Sequence, residues 1–255
     1  MTARLELFAV PGLPMIASGD PLATLIGDAL DRSGETLRDR DVVVLAQKIV
    51  SKAEGRMVDL SAVTPSPEAR RLAGEVGKDP RHVEVILSES RRIVRSRPHL
   101  MIMQHRLGFV MANAGVDRSN VAPLDGSPRL LLLPENPDGS AEAIRAALAA
   151  RFNVRLGVVI SDSFGRPWRH GTTGVAIGAA GLPALIDLRG MPDLFGRTLE
   201  VSIIGFADEI AAAASLLQGQ AAEAQPVVVV RGLDWSAPDQ PASGLVRPPE
   251  EDLFP

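Results

Sequence analysis

The sequence predicts a mixed α+β fold in which mixed sheets are flanked by helices. Two observations point to it: apolar runs of strand length recur along the chain, and stretches with helical spacing of apolar residues lie between them. Strands and helices alternate irregularly, which argues against a doubly wound parallel sheet. The 255 residues suffice for one large domain or two modest ones, and frequent Gly and Pro residues keep the elements short.

Apolar, β-rich runs bounded by turn-forming residues mark the predicted strands. In chain order these runs are Leu5–Val10, Asp41–Ala46, Leu100–Met103, Phe109–Ala112, Leu156–Ile160, Leu199–Phe206 and Pro226–Val230. The run at 41–46 is almost wholly apolar and predicts a buried strand. The runs at 100–103 and 109–112 are expected to pair around a turn at 106–108.

Helix starts are predicted where a capping side chain precedes apolar residues at helical spacing. Asp20 and Asp79 fit this pattern, and each is followed by a Pro that suits the first helical position. The predicted helices are one from Asp20 to a stop at Gly34, one from Asp79 with Val83, Ile86 and Leu87 inside, one capped by Ser140 with Ile144, Leu148 and Phe152, and an Ala-rich one from Asp208 through Glu209–Leu217 to Gly219.

Irregular structure is predicted at three stretches rich in Gly, Pro and polar residues: Pro123–Pro128, Pro134–Gly139 and Gly165–Gly181. The last of these is expected to be a loop and a packed turn. Residues 1–235 are expected to form the main domain, as two intertwined subdomains. The tail at 236–255, rich in Pro and acidic residues, is expected to be either a disordered end or an arm that docks on a neighbour.

The composition narrows the functional classes. The net charge of −4 is spread along the chain, so no nucleic-acid partner is expected. The absence of Cys excludes disulfides, thiolate metal sites and Cys nucleophiles. Residues 1–10 do not resemble a signal peptide, and no apolar stretch is long enough for a membrane span. We therefore expect a cytoplasmic protein without a membrane partner.

The motifs of several common enzyme classes do not occur. The sequence has no phosphate loop ending in Gly-Lys-Ser/Thr, no well-placed Gly-x-Gly-x-x-Gly after a strand, no His-Glu-x-x-His and no Gly-x-Ser-x-Gly. Chemistry must therefore be sought in residues without a common signature.

Two carboxylates follow predicted strands in similar contexts. Asp117 comes after the strand at 109–112, near Ser119 and Asn120, and Asp162 ends the strand at 156–160 beside Ser163. Short carboxylates on rigid strand ends are suited to a hard cation such as Mg²⁺ or Mn²⁺. Each Asp alone could simply bond the amides of its turn. The two matching units together favour a shared metal site.

Basic residues follow two of the predicted strands. Lys48 and Lys52 are four residues apart, so on a helix they would share a face, either as two solvated lysines or as a phosphate site. Arg166, Arg169 and His170 follow Asp162 and could neutralise a phosphate or a carboxylate. The alternative for this second group is a surface turn with its tryptophan packed inward.

Several strings in the sequence together resemble the F420-0:L-glutamate ligase family, the γ-glutamyl ligases of coenzyme F420 biosynthesis. They follow the family's order and span nearly the whole chain. The strings are Pro11-Gly12-Leu13-Pro14, Ile49-Val50-Ser51-Lys52-Ala53-Glu54-Gly55-Arg56, Asn113-Ala114-Gly115-Val116-Asp117-Arg118-Ser119-Asn120, Ser161-Asp162-Ser163-Phe164-Gly165-Arg166, Ala207-Asp208-Glu209-Ile210-Ala211 and Val229-Val230-Arg231-Gly232-Leu233.

The resemblance implies a two-domain α+β subunit of unusual fold that forms a homodimer. It also implies GTP, L-glutamate and coenzyme F420-0 as substrates, Mg²⁺ or Mn²⁺ at two sites, and K⁺ as a helper. Some bacterial relatives carry a further C-terminal nitroreductase-like domain, for which we expect no room here.

Site roles carry over by position. The residues that would contact GTP are Leu13, Pro14, Met15, Ile16, Gln47, Lys48, Lys52, Asn120, Gln218, Gly219 and Gln220. Those that would hold metal are Asp117, Asp162, Ser163 and Gln220. Lys52 and Arg166 would stabilise charge that develops during the reaction. Read without the resemblance, the segment at 11–16 is a plain turn and the segment at 218–220 is a helix end with Gly219 as its cap.

The sequence departs from the family pattern at four of these positions. Ser163 stands where relatives often have Thr, and Gln220 stands where some use Glu, so the second metal site would be looser. Gln47 and Lys48 stand where some relatives have Ser and Thr.

The implied reaction has two steps. The terminal phosphoryl group of GTP moves to a carboxylate of the F420 precursor, and the α-amine of glutamate then displaces phosphate from the acyl phosphate. The sequence leaves open the number of glutamates added, the preference for GTP over ATP and the precursor variant. Rival interpretations are a non-catalytic nucleotide- or deazaflavin-binding module, a metal-dependent phosphatase and an F420-using oxidoreductase.

Overall fold

The computed structural model describes residues 4–121 and 127–252. Within them, helices and strands alternate irregularly and form four sheets, which confirms the α+β class. The helices are α1 (Leu22–Ser33), α2 (Gln47–Ala53), α3 (Pro67–Val76), α4 (Pro80–Ser88), α5 (Pro137–Phe152) and α6 (Phe206–Gln218). The strands are β1 (Glu6–Ala9), β2 (Val42–Ala46), β3 (Met57–Asp59), β4 (Ser90–Arg97), β5 (Leu100–His105), β6 (Val110–Ala112), β7 (Arg129–Leu131), β8 (Gly157–Arg166), β9 (Arg169–Ala180), β10 (Ile186–Asp187), β11 (Ile203–Ile204) and β12 (Val227–Arg231).

A five-stranded sheet with the order β1-β12-β2-β8-β9 forms the centre of the molecule. Its neighbouring strands are antiparallel except β2 and β8, which are parallel. Side chains alternate between the two faces, so Val43 and Leu45 pack into one core with α1 and α5, and Val42 and Val44 pack into another with α6. Burial on both faces explains why β2 is apolar without interruption.

A third core lies beside the central sheet. It joins α3 and α4 to the three-stranded sheet β4-β5-β6 and to the pair β3-β7. The predicted pairing of β5 with β6 is confirmed, whereas β4 and α3 were not predicted. The signal for α3 was present in the sequence, because Ser66 caps the helix and Pro67 occupies its first position.

The prediction of a loop at Gly165–Gly181 is wrong. These residues belong to the end of β8 and to β9, which form a long antiparallel hairpin. A Cβ at Gly174 would lie 2.3 Å from the carbonyl oxygen of Ala211 in α6, and one at Gly178 would lie 2.5 Å from Pro137 in α5. The glycines therefore allow helices to pack directly against the strand, and they do not mark a loop.

The predicted helix starts have mixed outcomes. Asp79 caps α4 as predicted, with its carboxylate accepting from the amide of Arg81. Asp20 lies one residue before Pro21, and its carboxylate instead accepts from the amide of Ala17, so it does not cap α1. The predicted cap at Ser140 and the irregular stretch at 134–139 are wrong in part, because α5 already begins at Pro137 with Asn136 as its cap.

Most of the strand predicted at Leu199–Phe206 is also absent. Only Ile203–Ile204 is a strand, and it pairs with β10. The preceding residues 188–202, here called the arm, form turns whose apolar side chains face outward, and the Val201 residue is 85% exposed. An apolar run without a core to cover it does not become a strand. The turn predicted at Pro123–Pro128 lies mostly outside the described residues.

The C-terminal tail packs on its own chain. Ala242 is buried in the core beside α6, and the amides of Ala242 and Ser243 donate to the carboxylate of Asp138 at the start of α5. Residues 236–252 therefore are not a disordered end, and docking on a neighbour stays a prediction. None of the helices in the described ranges is both long and apolar enough to cross a membrane.

Candidate active site

The site begins where β2 and β8 end. These strands are parallel neighbours, so their carboxyl ends lie at the same edge of the central sheet, where Ala46 pairs with Ser161. α2 follows β2 without a connecting loop, and β8 continues into the hairpin with β9. In open sheets with parallel strands, ligands bind in the crevice beyond these carboxyl ends.

A cavity of about 280 Å³ lies at this edge of the sheet. Residues from segments far apart in the sequence line it, and most of the predicted site residues are among them. The predicted residues in its wall are Leu13, Pro14, Met15, Ile16, Gln47, Lys48, Lys52, Asn120, Asp162, Ser163, Gln218, Gly219 and Gln220. The structure thus brings these residues together, although the role of each one stays a prediction.

Asp162 is the carboxylate in the cavity wall. One of its oxygens accepts a hydrogen bond of 2.8 Å from the amide of Ser163. Burial raises the pKa of Asp162 to about 6, and the nearby charge of Asp117 adds to this effect, while Lys48 opposes it. A carboxylate with so little compensation for its charge favours the arrival of a cation.

Asp117 is connected to the cavity by its ion pair with Lys48, which lies in the cavity wall. The Nζ atom of Lys48 lies 2.6 Å from Oδ2 of Asp117, and Lys48 also donates to the hydroxyl of Ser119. The amide and hydroxyl of Ser119 donate to the same carboxylate at 2.8 and 2.6 Å. Burial alone would raise the pKa of Asp117, but the hydrogen bonds from Lys48 and Ser119 lower it. The two predicted metal ligands therefore lie within electrostatic range of each other, with Lys48 close to both.

The backbone before Asp117 turns sharply. Asn113, Ala114 and Gly115 all have positive φ, at 51°, 52° and 70°. Successive left-handed residues are unfavourable for side chains with a Cβ, and such conformations cluster at functional sites. This turn aims Asp117 at α2, and backbone hydrogen bonds with Leu131 in both directions hold it there.

The first turns of α2 present donors to the cavity. Lys52 donates from Nζ to the carbonyl oxygen of Asn120 at 2.8 Å, and burial together with the charge of Lys48 lowers its pKa. Gln47 is buried, and its Oε1 accepts a 2.8 Å hydrogen bond from the hydroxyl of Ser51. Since this bond fixes the amide, the amino group of Gln47 is left available to a ligand.

Gln218, at the end of α6, forms another part of the cavity wall. Its amide makes long contacts with the hydroxyl of Ser161 and with the carbonyl oxygens of Val44 and Pro226, at 3.3 to 3.5 Å. The end of α6 is thereby tied weakly to the ends of three central strands. Hydrogen bonds of this length are readily exchanged for contacts with a ligand.

Arg166 is not among the residues that line the cavity. It ends β8 in the hairpin, and its Nε is buried without a hydrogen-bond partner among the described residues. Arg169 and His170 are exposed in the adjoining part of β9. The alternative of a surface turn with its tryptophan packed inward is wrong for the tryptophan, because Trp168 is 91% exposed.

The family model for F420-0:gamma-glutamyl ligase matches residues 12–232. The chain belongs to this family. That match includes every predicted site residue, from Leu13 to Gln220, so the cavity is built entirely from the part of the chain that the family shares.

Similar proteins from archaea carry the name coenzyme F420:L-glutamate ligase. The chain is 46% identical to the one from Methanothermobacter thermautotrophicus, with 98% of each chain covered. It is 44% identical to the one from Methanopyrus kandleri, with 99% of this chain and 98% of that protein covered. Identity to the Archaeoglobus fulgidus protein is 42%, over 98% and 96%.

Some residues in the wall of the cavity were not predicted. They are Ala46, Ile49, Ser161, Gly174, Ser215, Ala221, Ala222, Ala224, Gln225 and Pro226. Ser161 is part of a family string, and its position beside Asp162 was the available signal. The residues at 221–226 between α6 and β12 belong to none of the family strings, and only the fold brings them to the strand ends.

Proposed function

We propose that the chain is a GTP- and metal-dependent ligase that joins L-glutamate to coenzyme F420-0 through an acyl phosphate. The observation that carries this proposal is the convergence of Asp162, Lys48 and Lys52 at one cavity, with Asp117 bound to Lys48. The names of the relatives support the choice of glutamate and an F420 precursor as substrates. GTP is the phosphoryl donor that the family resemblance implies, and the lysines of the cavity fit the phosphates of a nucleoside triphosphate.

The donor set at the cavity fits Mg²⁺ or Mn²⁺. Among the described residues no cluster of three or more His, Cys, Asp or Glu side chains could enclose a metal by itself. Mg²⁺ needs only one or two carboxylates, because water and phosphate oxygens complete its shell. Asp117 and Asp162 would hold one such ion, and Ser163 with Gln220 would contribute to a second, weaker site. K⁺ remains an additional proposal.

The protein's own residues then have distinct tasks. A bound divalent cation would withdraw charge from the transferring phosphate. Lys52, already held at the Asn120 carbonyl, would face the phosphates and stabilise charge on them. The amino group of Gln47 would donate to the nucleotide from a fixed position. Arg166 could assist only if the hairpin moved or a second subunit approached.

In each of the two proposed steps, one bond forms and one bond breaks. A carboxylate oxygen of F420-0 forms a bond to the terminal phosphorus of GTP, and the bond to the bridging oxygen breaks to release GDP. The α-amine of glutamate then bonds to the acyl carbon, and inorganic phosphate leaves. The amine loses a proton as the amide forms. Positioning of the reactants and neutralisation of charge are the main demands on the protein.

We also propose that the subunit forms a homodimer and acts in the cytoplasm. Support for the dimer comes from large apolar side chains that face outward on the arm and at the tip of the hairpin. The most exposed of them are Leu194, Phe195, Val201 and Trp168. A patch of this kind on one subunit is typical of an interface.

The decisive test is mass spectrometry of F420-0 after incubation with the protein, GTP, L-glutamate and Mn²⁺. We expect the precursor to gain the mass of one or more glutamyl residues, with GDP released in equal amount. Sustained release of inorganic phosphate without F420-0 and glutamate would favour a phosphatase, binding without turnover would favour a binding module, and hydride transfer would favour an oxidoreductase. Any of these three outcomes would reject the proposed ligase.

A further inference from the structure

We propose that Lys48 is a tethered cation that competes with the divalent metal for Asp117. In this view the lysine amine holds the carboxylate in the metal-free protein, and metal binding displaces the amine toward the phosphates of the nucleotide. The inference rests on the proposed function, because it concerns the same metal site. Lys48 would then control the access of the metal to Asp117, in addition to contacting the nucleotide.

Three donors of its own chain contact the carboxylate of Asp117. One oxygen accepts from the amide of Ser119, and the other accepts from both the hydroxyl of Ser119 and the amine of Lys48. A divalent cation needs an oxygen lone pair at close range. Oδ2 already accepts from two donors, so metal binding through this oxygen requires one of them to leave, and Lys48 is the cationic one of the two.

Lys48 is the donor best able to move. The Ser119 amide belongs to the same turn as Asp117, so it cannot separate far from the carboxylate. The amine of Lys48 is a point charge at the end of a flexible stem, with three rotatable donors. Its side chain is 26% exposed and lies in the cavity wall, so it can swing to another anion in the same cavity.

The charges favour the exchange once a divalent ion is present. Lys48 acts on both Asp117 and Asp162, and the two carboxylates also repel each other. A single positive charge compensates only one of the two carboxylates, whereas a divalent ion between them compensates both. The amine released in this way lies on the same face of α2 as Lys52, next to the expected phosphates.

Lys52 provides the contrast within the same helix. Its amine binds a neutral carbonyl oxygen, that of Asn120, and no carboxylate within residues 4–121 and 127–252. Removing its charge would affect a nearby metal only through space. Lys48→Met and Lys52→Met are therefore matched variants, because both delete an amine from one face of α2 and only the first frees a carboxylate.

The test is Mn²⁺ binding to purified, nucleotide-free protein, measured by the loss of the free-ion signal in electron paramagnetic resonance. We expect Lys48→Met to bind Mn²⁺ about fivefold to tenfold more tightly than the wild type, and Lys52→Met to change binding by less than about threefold. Lys48→Arg keeps the charge and should bind no more tightly than the wild type. Thermal melts of each variant with and without Mn²⁺ show that the compared proteins are folded.

A second readout follows the amine itself. Acetylation by a limiting reagent, read at single residues by mass spectrometry, should increase at Lys48 when Mn²⁺ is added and change little at Lys52. Equal Mn²⁺ affinity of the wild type and Lys48→Met, or unchanged acetylation of Lys48, would overturn the exchange and leave the ligase proposal standing. If no protein bound Mn²⁺ even with GDP present, both the exchange and the proposed metal site would be overturned.

Discussion

Two groups of charged side chains, one in the cavity wall and one in the packed interior, differ in how completely their carboxylates are neutralised. Glu89 lies between Arg56, Arg106 and His105, whose nitrogens are 3.0, 3.1 and 3.4 Å from one of its oxygens. Burial alone would raise the pKa of Glu89, but these neighbours lower it to about 2. The pKa of Asp162 shifts in the opposite direction, because burial raises it to about 6.

The difference separates a structural carboxylate, Glu89, from Asp162, which we propose to be functional. Glu89 has as many positive neighbours as it can use, so it joins the sheet β4-β5-β6 to the segment after α2 and needs no ligand. Asp162 has one amide donor and shares a single lysine with Asp117. Incomplete neutralisation beside a cavity is a property of sites that await a charged ligand.

The largest effect is expected when the functional carboxylate is neutralised. Asp162→Asn should lower the rate of glutamate addition by about 100-fold to 1000-fold, because the metal loses a ligand while the Ser163 hydrogen bond is kept. GDP release in a coupled assay measures the rate. Turnover close to that of the wild type would remove Asp162 from the metal site.

Neutralising the structural carboxylate should affect stability and not the reaction. Glu89→Gln should lower the free energy of unfolding by about 3 kcal/mol, since two partly buried arginines lose their counter-charge. Urea unfolding measures this loss. The matched control is Glu75→Gln, which breaks an exposed pair with Arg71 and should cost about 0.5 kcal/mol or less. A similar small loss for both variants would mean that the Glu89 group is not important for stability.

The two carboxylates should also give opposite responses to pH. The raised pKa of Asp162 means that metal-free protein loses stability as pH rises from about 4 to 6, on the order of 2 kcal/mol. Asp162→Asn should therefore be more stable than the wild type at pH 7 and equal to it near pH 3. Urea midpoints across this range measure the difference, and a constant difference at all pH values would contradict the assignment.

The pH dependence of stability has the opposite sign for Glu89. Its lowered pKa means that its ionised form stabilises the fold above pH 4.5, and this contribution is lost as pH falls from 4.5 toward 2. The destabilisation by Glu89→Gln should therefore shrink in acid, which the same urea series records. A penalty that persisted at pH 2 would indicate a packing effect of the substitution instead of a lost charge.

The smallest effect concerns the neutral part of the site. Ser51→Ala should cost about 1 kcal/mol of stability, because Gln47 loses a buried hydrogen-bond donor. The freed amide should also raise the KM for GTP more than it lowers kcat. Unchanged KM together with unchanged stability would show that Ser51 does not position Gln47.

Much of the fold could be predicted because its signals are local. The runs at 41–46 and 226–230 became central strands, and Asp79 capped its helix as predicted. The hairpin β8-β9 could not be predicted, because glycine indicates a loop until the helices that pack against it are known. Residues 199–202 of the arm were predicted as part of a strand for the converse reason: apolar composition does not reveal whether a core covers a stretch of chain.

Most of the residues that form the site could be predicted from the sequence, but the contacts between them could not. The family strings led to most of the side chains that line the cavity, including Asp162 and Lys52. Arg166 was included because it follows Asp162 closely in the sequence, yet it lies outside the lining. Four residues of extended strand separate two side chains by roughly 13 Å even when they share a face.

The sequence by itself determined the α+β class, the buried central strands and the residue types available for chemistry, because hydrophobic patterning and motif strings act within short stretches of chain. Only the tertiary structure decided which carboxylates are neutralised and which stay open to a ligand. Lys48 reaches Ser119 across 71 residues and Arg56 reaches Glu89 across 33. Charge compensation depends on distance in space, and that distance is set by the packing of the whole chain.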